Sequence, residues 1–97
     1  MDMEKKNQDR IIITVVGKDT VGIIARVCTY LAENGINILD ISQTIVSGYF
    51  NMMMIVDIAE AKVDFDTFSG RLEEIGSGIG VVIRCQREAI FDSMHRI

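Results

Sequence analysis

The sequence predicts an α+β fold in which two helices lie on one face of a four-stranded antiparallel sheet. Four segments of β-branched or alternating apolar residues are interrupted by two segments whose apolar residues recur at every third or fourth position. Their order is strand, helix, strand, strand, helix, strand, which is that of a split β-α-β unit. Hydrophobic residues make up 48% of the 97 residues, so one domain of this size has enough apolar side chains for a dense core.

The first strand is predicted over residues 10–16, where most side chains are β-branched. Residues 17–18 then turn the chain into a helix over residues 20–34. The helix is inferred from an apolar stripe of Ile24, Val27, Cys28 and Leu31. Gly35 follows directly, in the position where glycine commonly ends a helix.

The start of this helix is the first candidate site for a small molecule. Asp19 or Thr20 is expected to cap the helix with its side-chain oxygen. The amides of residues 21–23 would then face the loop, with the positive end of the helix dipole behind them. Gly22 has no side chain, so a small anion can approach its backbone closely.

The middle of the chain is predicted to form a hairpin. The second strand, over residues 36–47, has one buried and one polar side. The buried side contains Leu39, Ile41 and Ile45, and the polar side contains Asp40, Ser42 and Thr44. Gln43 interrupts the apolar side and marks either a bulge or a polar contact. A turn over residues 47–49 leads to a third strand over residues 50–58, whose two faces are both partly apolar, as in a central strand.

The second helix begins after Asp64, its expected N-cap. Its buried stripe consists of Phe65, Phe68, Leu72, Ile75 and Ile79. Gly76, Gly78 and Gly80 are expected to weaken the end of this helix. The fourth strand follows over residues 81–87.

The two ends of the chain are predicted to lie outside this core. Residues 1–9 are polar and lack periodicity, so we expect a flexible N-terminus. Residues 88–97 are expected to form a short C-terminal helix. Its apolar side contains Ile90, Met94 and Ile97, with Phe91 beside them.

This order of elements is that of a ferredoxin-like βαββαβ sandwich, in which strands one and three are central and strands two and four are edges. The face of the sheet without helices would carry a largely apolar set of side chains. These are Ile12, Thr14, Val16, Asp40, Ser42, Thr44, Met53, Ile55, Val82 and Arg84. Such a face is too apolar at its centre for water, so the C-terminal helix or another subunit should cover it.

Composition excludes several classes of partner. A net charge of −4 argues against nucleic acid and anionic membranes as partners. A signal peptide and an apolar run of about 20 residues are both lacking, so we expect a cytoplasmic protein. Cys28 and Cys85 have no metal-ligand spacing and are interpreted as small buried hydrophobic residues, with a disulfide between them left open.

Two segments resemble the ACT domain: residues 12–23, with the sequence Ile-Ile-Thr-Val-Val-Gly-Lys-Asp-Thr-Val-Gly-Ile, and residues 35–38, with the sequence Gly-Ile-Asn-Ile. ACT domains are small βαββαβ modules that bind amino acids and control metabolic enzymes and transcription. The resemblance covers residues 1–97 as one domain, with a core over residues 10–87. The segments 40–44 and 89–94 resemble the stand-alone single-ACT proteins of bacteria and archaea, which are related to the two-module glycine-cleavage repressor proteins.

The resemblance implies a ligand site where the loop after strand one meets the start of strand two, often between two subunits. The implied ligand-binding residues are Asp19, Thr20, Val21, Gly22, Ile23, Asn37 and Ile38. Free amides at the helix start suit the carboxylate of an amino acid, and Asp19 or Asn37 suits its ammonium group. Equally, these residues can serve only as a cap, a packing glycine and a turn. The implied partners are a second copy of the chain in a homodimer and an unidentified regulated protein; no cofactor or metal is implied.

The leading hypothesis is therefore a regulatory amino-acid-binding module that acts as a homodimer and signals to a partner protein. The alternative is an interaction module that assembles without a small ligand. An enzyme is not expected, because His95 is the single histidine and no catalytic set of side chains can be named. RNA-binding proteins of this topology use aromatic residues on the open sheet face, and metal carriers use a CxxC loop; the sequence has neither.

Overall fold

The computed structural model of the protein describes residues 10–18 and 22–87. Its elements are β1 (Arg10–Lys18), α1 (Ile23–Glu33), β2 (Asn37–Val46), β3 (Tyr49–Asp57), α2 (Phe65–Ile79) and β4 (Val81–Arg87). The four strands form one antiparallel sheet in the order β2-β3-β1-β4. The predicted ferredoxin-like fold, with strands one and three at the centre, is confirmed. The predicted N-terminus 1–9 and C-terminal helix 88–97 lie outside the described residues.

The hydrophobic core lies between the two helices and one face of the sheet. It consists of Ile11, Ile13, Val15, Ile23, Val27, Leu31, Ile36, Phe50, Met52, Met54, Val56, Phe68, Leu72, Val81 and Ile83. The alternation along β1 and β3 follows from the two-residue period of a strand. In α1 the buried positions are Ile23, Val27 and Leu31, whereas Ile24 is exposed. The predicted stripe was therefore wrong at Ile24, because the buried stripe is centred on Ile23, Val27 and Leu31 and Ile24 lies at its margin.

The junction between β1 and α1 differs from the prediction. Gly17 and Lys18 do not form a turn; they continue β1, and Gly17 is paired with Phe50 on one side and Val81 on the other. A Cβ atom at Gly17 would lie 2.9 Å from the Cα atom of Val81. Glycine at this position therefore allows β1 and β4 to lie close together, and it does not bend the chain.

The end of α1 agrees with the prediction. Gly35 has a φ angle of 71°, and its N–H donates to the carbonyl of Ala32 at 3.2 Å. The N–H of Ile36 donates to the carbonyl of Leu31 at 3.0 Å. This pair of hydrogen bonds is the Schellman motif, which satisfies the last carbonyls of a helix and releases the chain into β2.

Strand β2 is an exposed edge, contrary to the buried side predicted for it. Ile41 is 44% exposed and Ile45 is 55% exposed, although their cross-strand partners Met54 and Phe50 are buried. They share the helix-covered face with those partners, but the helices cover the central strands and do not reach this edge. Of the two alternatives for Gln43, the bulge is wrong, because Gln43 pairs regularly with Met52 and the register shifts between Ile38 and Asp40 instead.

Helix α2 begins as predicted, and it ends at the last residue of its predicted stripe. The N–H of Thr67 donates to the Asp64 carboxylate at 2.8 Å, so Asp64 is the N-cap. The helix then continues through Gly76 and Gly78 and ends at Ile79. Gly76 is buried because the helix approaches β4 closely there: a Cβ atom would lie 2.8 Å from the carbonyl oxygen of Val81.

Candidate functional site

The start of α1 is one half of the predicted site, and its capping differs from the prediction. The N-cap is Gly22, which has a φ angle of 92° and supplies no side-chain hydrogen bond. Its carbonyl accepts the first helical hydrogen bond, from the N–H of Arg26 at 2.9 Å. Asp19 or Thr20 is therefore not the N-cap of α1. Asp19, Thr20 and Val21 themselves lie outside the described residues.

The amides of the first turn of α1 can receive an anion. Among residues 10–18 and 22–87, no carbonyl accepts a helical hydrogen bond from the N–H groups of Ile23, Ile24 and Ala25, which precede the bond from Arg26 to Gly22. They carry the positive end of the helix dipole. The side chain of Ile23 is buried in the core, so it anchors the helix start and presents only its backbone to a ligand.

Asn37 and Ile38 form the other half of the predicted site, at the start of β2. Asn37 is exposed and Ile38 is half-buried. Asn37 pairs with Asp57, which also pairs with Arg10 at the start of β1. The end of β1 lies at the opposite end of the sheet, where Lys18 pairs with Tyr49.

Within one chain, the structure does not bring the two halves of the site together. The 11 residues of α1 run between the two ends of the sheet, and a helix of that length spans about 16 Å. Gly22 and Ile23 lie at the first end of α1, whereas Asn37 and Ile38 follow its second end. A ligand the size of an amino acid cannot contact both halves in one copy of the chain.

A groove between the two helices is lined by residues that were not predicted from the sequence. A concavity of about 300 Å³ is bordered by Arg26, Tyr30 and Arg71, together with parts of neighbouring side chains. The Arg71 guanidinium donates to the Glu74 carboxylate at 2.9 Å, so its charge is already balanced. The spacing of Arg26, Tyr30 and Glu33 along the outer side of α1 was the signal that could have indicated this groove.

The two cysteines are free thiols with different surroundings. Burial raises the pKa of the Cys85 thiol to about 11, although a hydrogen bond with Ser69 acts in the opposite direction. Burial also raises the pKa of Cys28. Both thiols therefore stay protonated at neutral pH, which makes them poor nucleophiles and poor metal ligands.

The described part of the chain offers no further site of a recognised kind. Among residues 10–18 and 22–87, no three His, Cys, Asp or Glu side chains are placed to hold a metal ion. In the same residues, neither helix combines the length and hydrophobicity needed to cross a membrane.

Close relatives occur in bacteria and archaea. A UPF0237 protein from Bifidobacterium longum is 67% identical over 89 residues, which are 92% of this chain and 99% of that protein. A UPF0237 protein from Methanocaldococcus jannaschii is 51% identical over 88 residues, covering 91% of this chain and 98% of that protein.

Solved structures extend the comparison to the fold. An ACT domain protein from Streptococcus pneumoniae has a TM-score of 0.74 and 45% identity, covering 89% of this chain and 97% of that one. The regulatory subunit of aspartate kinase from Thermus thermophilus has a TM-score of 0.63 and 27% identity, covering 82% and 52%. A putative glycine cleavage system transcriptional repressor shares the fold at a TM-score of 0.71 and 22% identity, covering 80% and 44%. The family model described as the ACT domain matches residues 9–83. On this evidence the chain belongs to the ACT domain family, whose members are regulatory small-ligand-binding modules.

Proposed function

We propose that the protein is a homodimeric amino-acid-binding module that signals to a regulated partner protein. One observation carries the proposal: the two halves of the expected ligand site lie at opposite ends of one chain's sheet. A complete site therefore needs a second copy of the chain. The regulatory subunit of aspartate kinase from Thermus thermophilus, which shares the fold, supports a regulatory role.

Antiparallel pairing of two β2 edges would complete the site. In such a pair, related by a two-fold axis, the start of β2 in one copy lies beside the end of β2 in the other. Val46, at the end of β2, pairs with Tyr49, which also pairs with Lys18 at the end of β1. Asn37 of the second copy would thus reach the end of the sheet at which Gly22 starts α1.

The chemistry of β2 supports this edge as the pairing surface. The ten residues of β2 contain no lysine, arginine or proline, which are the residues that usually protect an exposed edge from pairing. Ile41 and Ile45 add exposed apolar side chains along it. The opposite edge, β4, carries the charged side chains of Arg84 and Arg87. Pairing at β2 would bury the apolar side chains that the helices leave uncovered.

The completed site would suit an α-amino acid. Its carboxylate would bind the free amides of Ile23 and Ile24, and its ammonium group would bind the side-chain oxygen of Asn37 from the second copy. Asp19, as implied by the family resemblance, would add a carboxylate for the ammonium group. Because such a ligand contacts both copies, it would stabilise the dimer. The increase in dimer formation would be the signal that a partner protein detects.

The proposal assigns the chain no catalytic role. We further propose a cytoplasmic location, since Cys28 and Cys85 are free thiols, as is usual in a reducing compartment.

A thermal-melt series against the twenty amino acids at millimolar concentration tests ligand binding. A ligand at about 100 times its Kd adds about 2.7 kcal/mol to the free energy of unfolding, which raises the Tm of a domain of this size by about 10 °C or more. Asn37→Ala should abolish the shift, whereas Asn51→Ala, an exposed asparagine on β3, should leave it unchanged. A shift that survives Asn37→Ala would contradict the site.

The alternative is an interaction module that dimerises without a small ligand. The exposed β2 edge favours this alternative, because pairing of two such edges would form a dimer without any ligand. The same melts, repeated at two protein concentrations, separate the two functions. A Tm that rises with protein concentration and responds to none of the amino acids would favour the alternative.

A further inference from the structure

The sheet face without helices is unevenly exposed. Ile12 on β1 is only 4% exposed, whereas Val16, on the same strand and the same face, is 47% exposed. Ile55 and Gln86, the cross-strand neighbours of Ile12, are also half-buried. Met53, nearer the middle of this face, is 40% exposed. One end of the face is therefore shielded from water, and the rest is open.

Strand β4 carries the chain to the shielded end. Gln86 pairs with Ile12, and Arg87, the last residue of β4, pairs with Ile11. The described chain therefore ends one residue beyond the partner of Ile12. Residues 88–97 include four apolar side chains, Ile90, Phe91, Met94 and Ile97, at spacings that place them on one side of a helix.

We propose that residues 88–97 pack across this face of their own sheet, with their apolar side over Ile12 and Ile55. A helix of ten residues is about 15 Å long, and the strand from Ile12 to Val16 spans about 13 Å, so the segment is long enough to reach along the face.

The position of the shielding favours this occupant over a second copy of the chain. Ile12 is buried within a single chain, so its burial needs no second molecule. A copy packed face to face would instead cover the exposed apolar side chains of this face, which include Val16 and Met53. Residues 1–9, which precede β1, are a weaker candidate because they are polar and have no apolar periodicity. The proposal is independent of ligand binding.

Methyl NMR of the full-length chain, labelled at isoleucine and methionine, tests the proposal. We expect NOEs from the methyl groups of Ile12 and Ile55 to those of Ile90, Met94 or Ile97. In a mixture of labelled and unlabelled chains, filtered for contacts between molecules, these NOEs should vanish. NOEs that appear only between molecules, or that connect Ile12 to Met1 or Met3 instead, would overturn the proposal.

A chain truncated after Arg87 provides a second measurement. The methyl resonances of Ile12 and Ile55 should shift, while those of Ile41 and Ile45, on the β2 edge, should not. The truncated chain should also bind the dye ANS several-fold more than the full-length chain, because an apolar face becomes exposed. If the truncated chain does not fold, the NOE experiment on the full-length chain still tests where residues 88–97 pack. Unchanged Ile12 and Ile55 resonances in a folded truncated chain would contradict the proposal.

Discussion

Gly76 lies where α2 approaches β4 most closely, and its replacement by alanine tests the packing of the two layers. An alanine Cβ at this position would lie 2.8 Å from the carbonyl oxygen of Val81 and 2.8 Å from Cγ1 of Ile83. The isoleucine side chain can move, but the carbonyl is part of the β4 backbone and is fixed by the sheet. Overpacking of this kind costs about 1–3 kcal/mol.

Alanine also favours a helix over glycine by about 1 kcal/mol, so the packing cost must be measured against a matched control. Gly70 lies in the same helix, is exposed, and has no atom within 4 Å of its would-be Cβ. Gly70→Ala should therefore raise the free energy of unfolding by about 1 kcal/mol. Gly76→Ala should lie about 1–3 kcal/mol below Gly70→Ala, which is a difference in Tm of at least about 4 °C.

The assay is thermal unfolding of the two variants and the wild type, followed by circular dichroism at one protein concentration. If Gly76→Ala is as stable as Gly70→Ala, the close contact between α2 and β4 is wrong, and so is the explanation of why this glycine lies inside the helix. Gly78→Ala, which also has open space around it, serves as a further control near the end of α2.

Four further predictions concern the site and the packing around it. Gly22→Ala should lower the free energy of unfolding by about 1 kcal/mol, because alanine is disfavoured at a φ angle of 92°, and urea titration measures this loss. Asp64→Ala should be less stable than the wild type at neutral pH, because it lacks the carboxylate that accepts the hydrogen bond from Thr67. This difference in stability should vanish as the pH falls through the lowered pKa of the Asp64 carboxyl, since only the charged side chain favours that hydrogen bond. Asp64→Asn should keep the cap and lack the pH dependence. The free energy of unfolding should fall between pH 9 and about 11 more steeply in the wild type than in Cys85→Ala. The reason is that the Cys85 thiol loses its proton at a lower pH in the unfolded chain than in the folded one. Equal slopes of the free energy of unfolding against pH would refute the burial of Cys85. Ile45→Lys should dissociate the proposed dimer in sedimentation experiments, whereas Val82→Lys, at an equally exposed apolar residue on the opposite edge strand, should not.

The sequence was sufficient for the order and type of the elements, because periodicity depends on which side chains are buried. The two-residue alternation in β3 and the stripe of α2 both correspond to core positions. Asp64 was predicted correctly as a cap because its hydrogen bond is local. Errors arose where the outcome depends on distant neighbours: Gly17 was predicted to turn the chain, but it continues β1, where Val81 of β4 lies against it.

The candidate site was less predictable for the same reason. The first-turn amides of α1 follow from where a helix begins, but Gly22, and not Asp19 or Thr20, is its cap. The separation between Gly22 and Asn37 could not be predicted, because it depends on the direction of α1 along the sheet. Likewise, the pattern of β2 indicated a buried side, although an edge strand keeps that side only if another chain covers it.

A mixing experiment tests most directly the claim that each ligand site is shared by two copies. One variant, Gly22→Val, would block the helix start, and a second, Asn37→Ala, would remove the group that the other copy contributes. Neither variant alone should bind the amino acid identified by thermal melts. After the two are unfolded together and refolded, half of the dimers should contain both variants, and each of these should hold one intact site. Calorimetry should then detect binding at about a quarter of the sites of the wild type, with unchanged affinity. If the mixture binds no more than the separate variants, although mass spectrometry finds mixed dimers, the two halves do not combine across the dimer and the account is contradicted.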